Sequence, residues 1–201
     1  MHADNWAQKA KSLGYRSRAV FKLIQILEKI KKLKNPSLIL DIGSAPGGWS
    51  HYLKDKYPSS EIFAIDLLEM KEIKGVNFFQ EDLRNIENIV QINQLKNEFC
   101  LVISDLAPNL SGIRSIDEAN IYELNLLTLE QAEKFLNDNG IFIVKTFQNS
   151  NLKKFRKEME NIFKIVQTAK PAASKKQSKE IYLYGIKSVS YTHLRAHETY
   201  V

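Results

Sequence analysis

The chain has 201 residues, 44% of them hydrophobic and 26% charged, the balance of a globular protein long enough for one real core. No stretch approaches the ~18 consecutive apolar residues of a membrane span, and no signal peptide opens the sequence, so no membrane partner is expected. One cysteine, Cys100, excludes an intramolecular disulfide and reads as a small core residue. No Cys/His cluster suggests a metal site, and the net charge of +6 favours a polyanionic partner.

In chain order, Met1 to Gly14 is polar and gives no clear element. Arg16 to Lys34 reads as an amphipathic helix, with Val20, Leu23, Ile24, Leu27, Ile30 and Leu33 recurring at spacings of three and four. Its terminal lysines, Lys29, Lys31, Lys32 and Lys34, suit the negative end of the helix dipole, and a solvated face is the favoured account of them. Arg16 and Arg18 precede the apolar stripe and are candidate phosphate contacts.

Leu38 to Ser50, LILDIGSAPGGWS, is an apolar strand ending in an acid, then a glycine-containing turn, then the start of a helix. Its continuous apolar run fits a strand covered on both faces. The glycines allow a tight turn and close approach of a ligand. The dinucleotide fingerprint fails because Ala45 stands where its second glycine belongs, and no Gly-Lys-Ser/Thr follows to make a P-loop. A glycine-rich turn alone identifies no ligand; the rest of the chain has to.

Glu61 to Leu67 reads as a second strand ending at Asp66, and Asn77 to Gln80 as a short third strand followed by Glu81 and Asp82. Ile86 to Leu95 is a weak helix. Phe99 to Leu106 is a fourth strand carrying Asp105 at its end. Ile116 to Leu136 is a long helix, closed by Asn139-Gly140 as left-handed caps. Ile141 to Phe147 is a fifth strand with Lys145 near its end, Leu152 to Phe163 a helix, and Lys164 to Ala169 a sixth strand. Pro171 to Lys179 is a basic loop and Glu180 to Ile186 a last strand. This alternation predicts an α/β fold with a mostly parallel sheet and helices on both faces. Asp41, Asp66, Asp82, Asp105 and Lys145 then fall together along the carboxyl edge of the strands, where such folds bind ligands. One of them could be a solvated strand-end charge; five on one edge point to a site.

Residues 1–187 are expected to form one domain. Residues 188–201 lack any apolar period and read as translated vector sequence, so His193 and His197 are set aside. His2 and His51 have no partner at metal-ligand spacing.

The stretches GYRSRAVFKL (Gly14 to Leu23), LDIGSAPGGWS (Leu40 to Ser50), DLLEM (Asp66 to Met70), SDLAPNLSG (Ser104 to Gly112), VKTFQ (Val144 to Gln148) and KEIYLYG (Lys179 to Gly185) together make the chain resemble the FtsJ/RrmJ family of S-adenosylmethionine-dependent ribose 2′-O-methyltransferases. The resemblance runs from about Trp6 to Lys187. It implies a Rossmann-like seven-stranded sheet with an antiparallel last strand and a Lys-Asp-Lys-Glu tetrad, which falls on Lys22, Asp105, Lys145 and Glu180. It places S-adenosyl-L-methionine on Gly47 and Trp49 of the turn, with Gly43, Ser44, Pro46 and Gly48 beside them. Asp66 would take the ribose hydroxyls, with Leu67 adjoining. Asp82 would take the adenine amino group, with Leu83 adjoining, and Asp105 would sit near the sulfonium. Ser44 stands where the family commonly has Ala, and Glu69 where it commonly has Pro; neither change removes a functional group.

The residue types suit the chemistry. A sulfonium methyl is already activated, so the protein has to align it and remove a proton from a weakly nucleophilic hydroxyl. A lysine can accept that proton only if burial or another cation favours its neutral form. Lys145 is the implied base and Lys22 the natural second cation, with Asp105 and Glu180 as orienting groups. No metal is required. Large-subunit ribosomal RNA is the substrate that DLLEM and SDLAPNLSG favour, with tRNA as the alternative. The RNA would lie on a basic rim of Arg16, Arg18, Lys175, Lys176 and Lys179. A non-catalytic RNA-binding protein would not need the tetrad, and the Ala45 break argues against an oxidoreductase. A monomer is expected, in the cytoplasm or in an organelle matrix if a targeting segment has been removed.

Overall fold

The computed structural model describes residues 3–31, 33–174 and 177–187. Its frame is a seven-stranded sheet: β1 (Leu38–Ile42), β2 (Glu61–Asp66), β3 (Val76–Gln80), β4 (Phe99–Ser104), β5 (Leu136–Phe147), β6 (Ile165–Ala169) and β7 (Glu180–Ile186). The order is β3-β2-β1-β4-β5-β7-β6. The first five strands run parallel, and β7 is antiparallel to both β5 and β6. The expected reversed last strand is present.

Strand parity sorts the side chains into two layers. On one face, Ile39, Ile62, Leu101, Ile103, Ile141, Ile143, Tyr182, Tyr184 and Ile186 pack under α2 (Val20–Leu27) and α3 (Gly48–Lys56). On the other, Leu40, Ile42, Phe63, Ile65, Val102, Phe142, Val144 and Leu183 pack under α5 (Arg114–Phe135) and α6 (Leu152–Ile162). Both faces are covered, which is why the strands read as unbroken apolar runs.

Several boundaries differ from expectation. The polar N-terminal stretch forms α1 (Ala3–Ser12), held by Trp6 against Phe21 with ring centroids 4.9 Å apart and by buried Ala10. The helix expected over 16–34 is α helical only from Val20 to Leu27. Beyond it the chain tightens into three-residue turns, Lys29 N–H to Ile26 O and Ile30 N–H to Leu27 O, both at 3.0 Å. Ile30 still reaches the core, so its apolar spacing persisted after the helix ended. The weak helix expected over 86–95 is a 3₁₀ helix, Leu83–Asn88, followed by the single turn α4 (Val90–Asn93). Asn139-Gly140 does not cap α5. That helix gives way at Leu136, and both residues lie inside β5, whose pairing with β4 shifts register between Phe99 and Leu101. Cys100 is half-exposed at this irregularity, with Ser37 Oγ 3.2 Å from its sulfur, and is not a core residue.

Aromatic rings also meet at Phe99, which is fully buried and packs edge-on against Phe63 and Phe135 at 5.7 and 6.0 Å. Phe99→Ala leaves a cavity between two elements that cannot collapse. Urea unfolding is expected to show a loss of about 3–5 kcal/mol; a loss below about 1 kcal/mol would mean that the three rings do not form one packing unit.

Candidate active site

The same parity that sorts the core also selects the site. Asp41 and Lys145 lie on the strand face covered by α2 and α3, in step with Ile39 and Ile143. Asp105 follows β4 directly. Because β7 runs backwards, its first residues meet the last residues of β5: Lys145 pairs with Tyr182 and Phe147 with Glu180. Lys22, on α2, comes down onto this corner.

Four charges meet there as two ion pairs. Lys22 Nζ lies 2.8 Å from Glu180 Oε1 and donates to Oε2 at 2.9 Å. Lys145 Nζ lies 3.2 Å from Asp105 Oδ1 and also donates to the Asp105 backbone carbonyl. Side-chain exposures of 13% and 12% in the first pair, and 10% and 21% in the second, set them apart from solvent-exposed pairs, which are worth little. Burial pushes Glu180 up. The ion pair with Lys22 and the hydrogen bond from Ser174 Oγ, at 2.8 Å, outweigh it, and the carboxyl titrates below its ordinary value.

Tyr182 links the two pairs. Its hydroxyl donates to Asp105 Oδ1 at 2.6 Å, Lys22 Nζ lies 5.9 Å from its ring centroid, and the Trp49 ring packs beside it at 5.9 Å. Burial, reinforced by the charges of Asp105 and Glu180, raises its phenol well above the ordinary value. The sequence reading missed Tyr182 because every residue from Ile181 to Ile186 is buried, and an apolar run does not tell which face meets the site.

Two cavities converge on Asp105. The larger, of about 640 Å³, is lined by Gly43, Asp66, Leu67, Leu68, Asp82, Leu83 and Asp105, and closed by Pro108, Asn120 and Leu124 among others. The last two come from α5 and carry no sequence signal of a site. A narrow recess continues from it, lined by Ser17, Asp41, Ser44, Pro46, Gly48, Trp49 and Asp105. Gly47 lines neither. Its φ of 95° requires glycine, and a Cβ there would lie 2.7 Å from Ile73 and 2.8 Å from Met70. A Cβ on Gly43 would lie 2.3 Å from Leu106. At these two positions the chain uses the missing side chain for its own close packing, where the sequence suggested room for a ligand.

The acids around these cavities differ in state. Asp66 accepts Ala45 N–H and Leu68 N–H, each at 2.8 Å. Asp82 caps the 3₁₀ helix and holds the exposed Arg84 guanidinium, with Nε at 3.0 Å; that contact pulls its carboxyl below the ordinary range, and Arg84 is a neighbour the sequence did not reveal. Asp41 is fully buried. Its Oδ2 accepts from Ser50 Oγ at 2.6 Å, while Oδ1, like the buried Ser44 Oγ, has no hydrogen-bond partner among the described residues. Burial raises its pKa from 3.8 to about 7 against the Ser50 hydrogen bond, with the charges of Asp105 and Asp66 adding.

The basic rim is less uniform than expected. Lys175 and Lys176 lie outside the described residues. Lys179 is exposed beside Glu180, as are Lys29 and Lys31, and Arg18 is half-buried. Arg16 does not project as a phosphate contact: its guanidinium is bonded to the backbone carbonyls of Pro46, Lys71 and Glu72.

Among the described residues no group of three or more His, Cys, Asp or Glu side chains is placed to hold a metal ion, and no helix is long and apolar enough to cross a membrane.

Known proteins are similar to this chain in sequence and in fold. The chain is 42% identical over 185 residues to the ribosomal RNA large subunit methyltransferase E of Dechloromonas aromatica, covering 90% of each chain. It is 41% identical over 185 residues to the protein of that name from Neisseria meningitidis, again covering 90% of each. Among solved structures it superposes with a TM-score of 0.76 on a Plasmodium falciparum protein described as a ribosomal RNA methyltransferase, at 30% identity over 86% of this chain and 98% of the other. Fibrillarin, in its complex with Nop5p, shares the fold at a TM-score of 0.59 and 18% identity, over 83% of this chain and 81% of the other. The sequence profile of the FtsJ-like methyltransferase family matches residues 15–188, and with these relatives it shows that the chain belongs to that family of methyltransferases.

Proposed function

We propose that residues 1–187 form one methyltransferase domain that moves the methyl group of S-adenosyl-L-methionine onto a ribose 2′-hydroxyl of RNA in the large ribosomal subunit. The observation that carries this reading is the pair of ion pairs, Lys22–Glu180 and Lys145–Asp105, joined to a cleft of nucleoside size through Asp105, which lines it. The rRNA substrate rests on the relatives named ribosomal RNA large subunit methyltransferase E.

The residues present fit the cofactor. Asp66 and the exposed Leu67 and Leu68 offer a carboxylate and apolar walls for an adenosine. Asp82 keeps acceptor capacity beyond the Arg84 contact, since a carboxylate has about four lone-pair sites. The unpartnered Asp41 Oδ1 and Ser44 Oγ line the recess that a charged, hydrogen-bonding tail would fill. When bound, the cofactor supplies an electrophilic methyl on a sulfonium.

The chain's own groups do the rest. Asp105 fixes Lys145 Nζ through its carboxylate and its carbonyl, and Tyr182 fixes Asp105. Lys145 accepts the hydroxyl proton at Nζ as general base once it has given up its own proton, a loss that the Asp105 carboxylate opposes. Glu180 and Lys22 hold each other beside Tyr182 and orient the ribose by hydrogen bonds. The Lys22–Glu180 contact also means that Lys22 is neutralised locally and is not the free second cation that the sequence suggested. Exposed Lys29, Lys31, Lys34 and Lys179 provide the charge that attracts the RNA backbone.

Two outcomes check this reading. With labelled S-adenosylmethionine and large ribosomal subunits, the wild type is expected to label a ribose 2′-oxygen and Lys145→Ala to fall by roughly 10²–10⁴-fold; label on tRNA alone would reassign the substrate, and label on a base would reject ribose chemistry. The second concerns Asp41. Its folded-state pKa of about 7 lies above its ordinary 3.8, so the folded protein binds an extra proton between these values and stability falls as pH rises across the window, by roughly 3–5 kcal/mol. Asp41→Asn keeps an acceptor for Ser50 and removes that slope. Urea unfolding at pH 5 and pH 7.5 is expected to show the variant gaining on the wild type as pH rises; parallel pH profiles would show that Asp41 does not titrate in this window.

A further inference from the structure

Arg16 stands in a stretch that, by sequence, looks made for phosphate, yet its guanidinium is turned inward. Nη1 donates to Lys71 O at 2.5 Å and more weakly to Pro46 O at 3.4 Å, and Nη2 donates to Glu72 O at 2.6 Å. Pro46 belongs to the turn after β1. Lys71 and Glu72 belong to the connection between β2 and β3, the connection that begins with Leu67 and Leu68 on the cleft wall. The planar fork of one arginine therefore spans two walls of the same cavity system.

Neighbouring contacts make this a seam. Met70 and Ile73, which flank the two carbonyls, pack over Gly47, where an added Cβ would also lie 3.3 Å from Arg16 Nη1. Gly47 N–H closes the turn onto Ser44 O at 2.7 Å. One residue on, Gly48 packs against Ser17, where a Cβ would lie 3.1 Å from the serine Cβ. Trp49 Nε1 donates to Ala19 O at 2.8 Å. The segment from Arg16 to Ala19, which leads into α2 and Lys22, is thus fastened along the whole turn. Among the polar contacts of this segment those of Arg16 reach the second wall, alongside the apolar packing of Met70 and Ile73 on Gly47.

We propose that Arg16 is a positioning residue that latches the Ser44–Trp49 turn to the β2–β3 connection and so sets the width of the cofactor cleft. This rests on the reading that the cleft holds S-adenosylmethionine. The backbone groups are ordinary carbonyls, so charge alone does not make the latch. Donors on two separate nitrogens reach three acceptors at once, which an arginine fork supplies and a lysine, with its single compact ammonium, does not. A phosphate contact would behave in the opposite way, because a lysine serves a phosphate well as a point charge.

The test uses the full chain without RNA. S-adenosylhomocysteine is titrated into wild type, Arg16→Ala and Arg16→Lys, and the KM values for S-adenosylmethionine and for ribosomal subunits are then measured separately. Both variants are expected to bind S-adenosylhomocysteine about tenfold more weakly, as loss of charge-assisted hydrogen bonds implies. The KM for the cofactor should rise in parallel and that for ribosomal subunits should stay within about twofold. Unchanged cofactor binding in both variants, or a raised RNA KM that Arg16→Lys restores, overturns the latch. Thermal unfolding follows the fold, and Arg16→Lys, which keeps charge and stem, carries the test if Arg16→Ala does not fold. A wild type that fails to bind S-adenosylhomocysteine would instead reject the reading of the cleft on which the latch rests.

Discussion

The reversal of β7 is the constraint on which the site depends. A sheet of parallel strands alone can present strand carboxyl ends on its ligand edge, and here those ends bring Asp66, Asp105 and Lys145. The Glu180 carboxylate opens a strand, so it can reach the same edge only if that strand runs the other way. Inserted between β5 and β6, β7 places Glu180 opposite Phe147 and Tyr182 opposite Lys145. The register is tightly held, because both faces of the sheet are buried and a slip of one residue would exchange the two faces of β7. Tyr182 would then leave Asp105 and enter the layer under α5 and α6.

Reversal brings opposite charges together in a partly dry corner, and their arrangement decides whether that is tolerable. Removing two charges from water costs several kcal/mol each unless they are well paired and hydrogen-bonded. Each lysine here contacts one carboxylate, and each carboxylate has a further neutral donor, Ser174 on Glu180 and Tyr182 on Asp105. The cluster is closed on itself and electrically balanced. Asp41 shows the alternative. It has one donor, one bare oxygen and, among the described residues, no cationic partner, and it responds by holding its proton toward neutrality. The same edge thus contains Glu180 and Asp82, held below their ordinary values by cationic partners, and Asp41, raised to about 7 without one.

Much of this was legible in the sequence because of periodicity. Alternating elements gave the layers, and an acid or lysine terminating each apolar run marked the edge. The reading failed where a local pattern outlasted its cause. Leu27, Ile30 and Leu33 keep helical spacing, yet three-residue turns preserve a contact of the same spacing with Ile30 after the helix has ended. Asn139-Gly140 resembles a helix cap, but Leu136 is drawn into pairing with Phe99 and takes the two residues into β5 with it; tertiary pairing overrode local preference. The site residues that went unseen, Tyr182, Arg84 and the α5 wall, share a property. Their roles depend on which face or which distant neighbour they meet, and no short-range pattern encodes that.

Arg16 shows the same limit from the other side. A cation ahead of an amphipathic helix in a basic protein is expected to face solvent and phosphate, and composition alone supports that expectation. What turns it inward is a set of backbone carbonyls thirty or more residues away, freed because the Pro46 turn and the β2–β3 connection are irregular and leave acceptors without sheet or helix partners. Loops that form a ligand site have this problem generally, since their shape must be fixed without regular pairing. An arginine suits such a place because its donors form a rigid plane and so hold several acceptors at a fixed separation. Net positive charge in this chain therefore has two physical uses: exposed lysines supply an attractive field, and an inward guanidinium supplies shape.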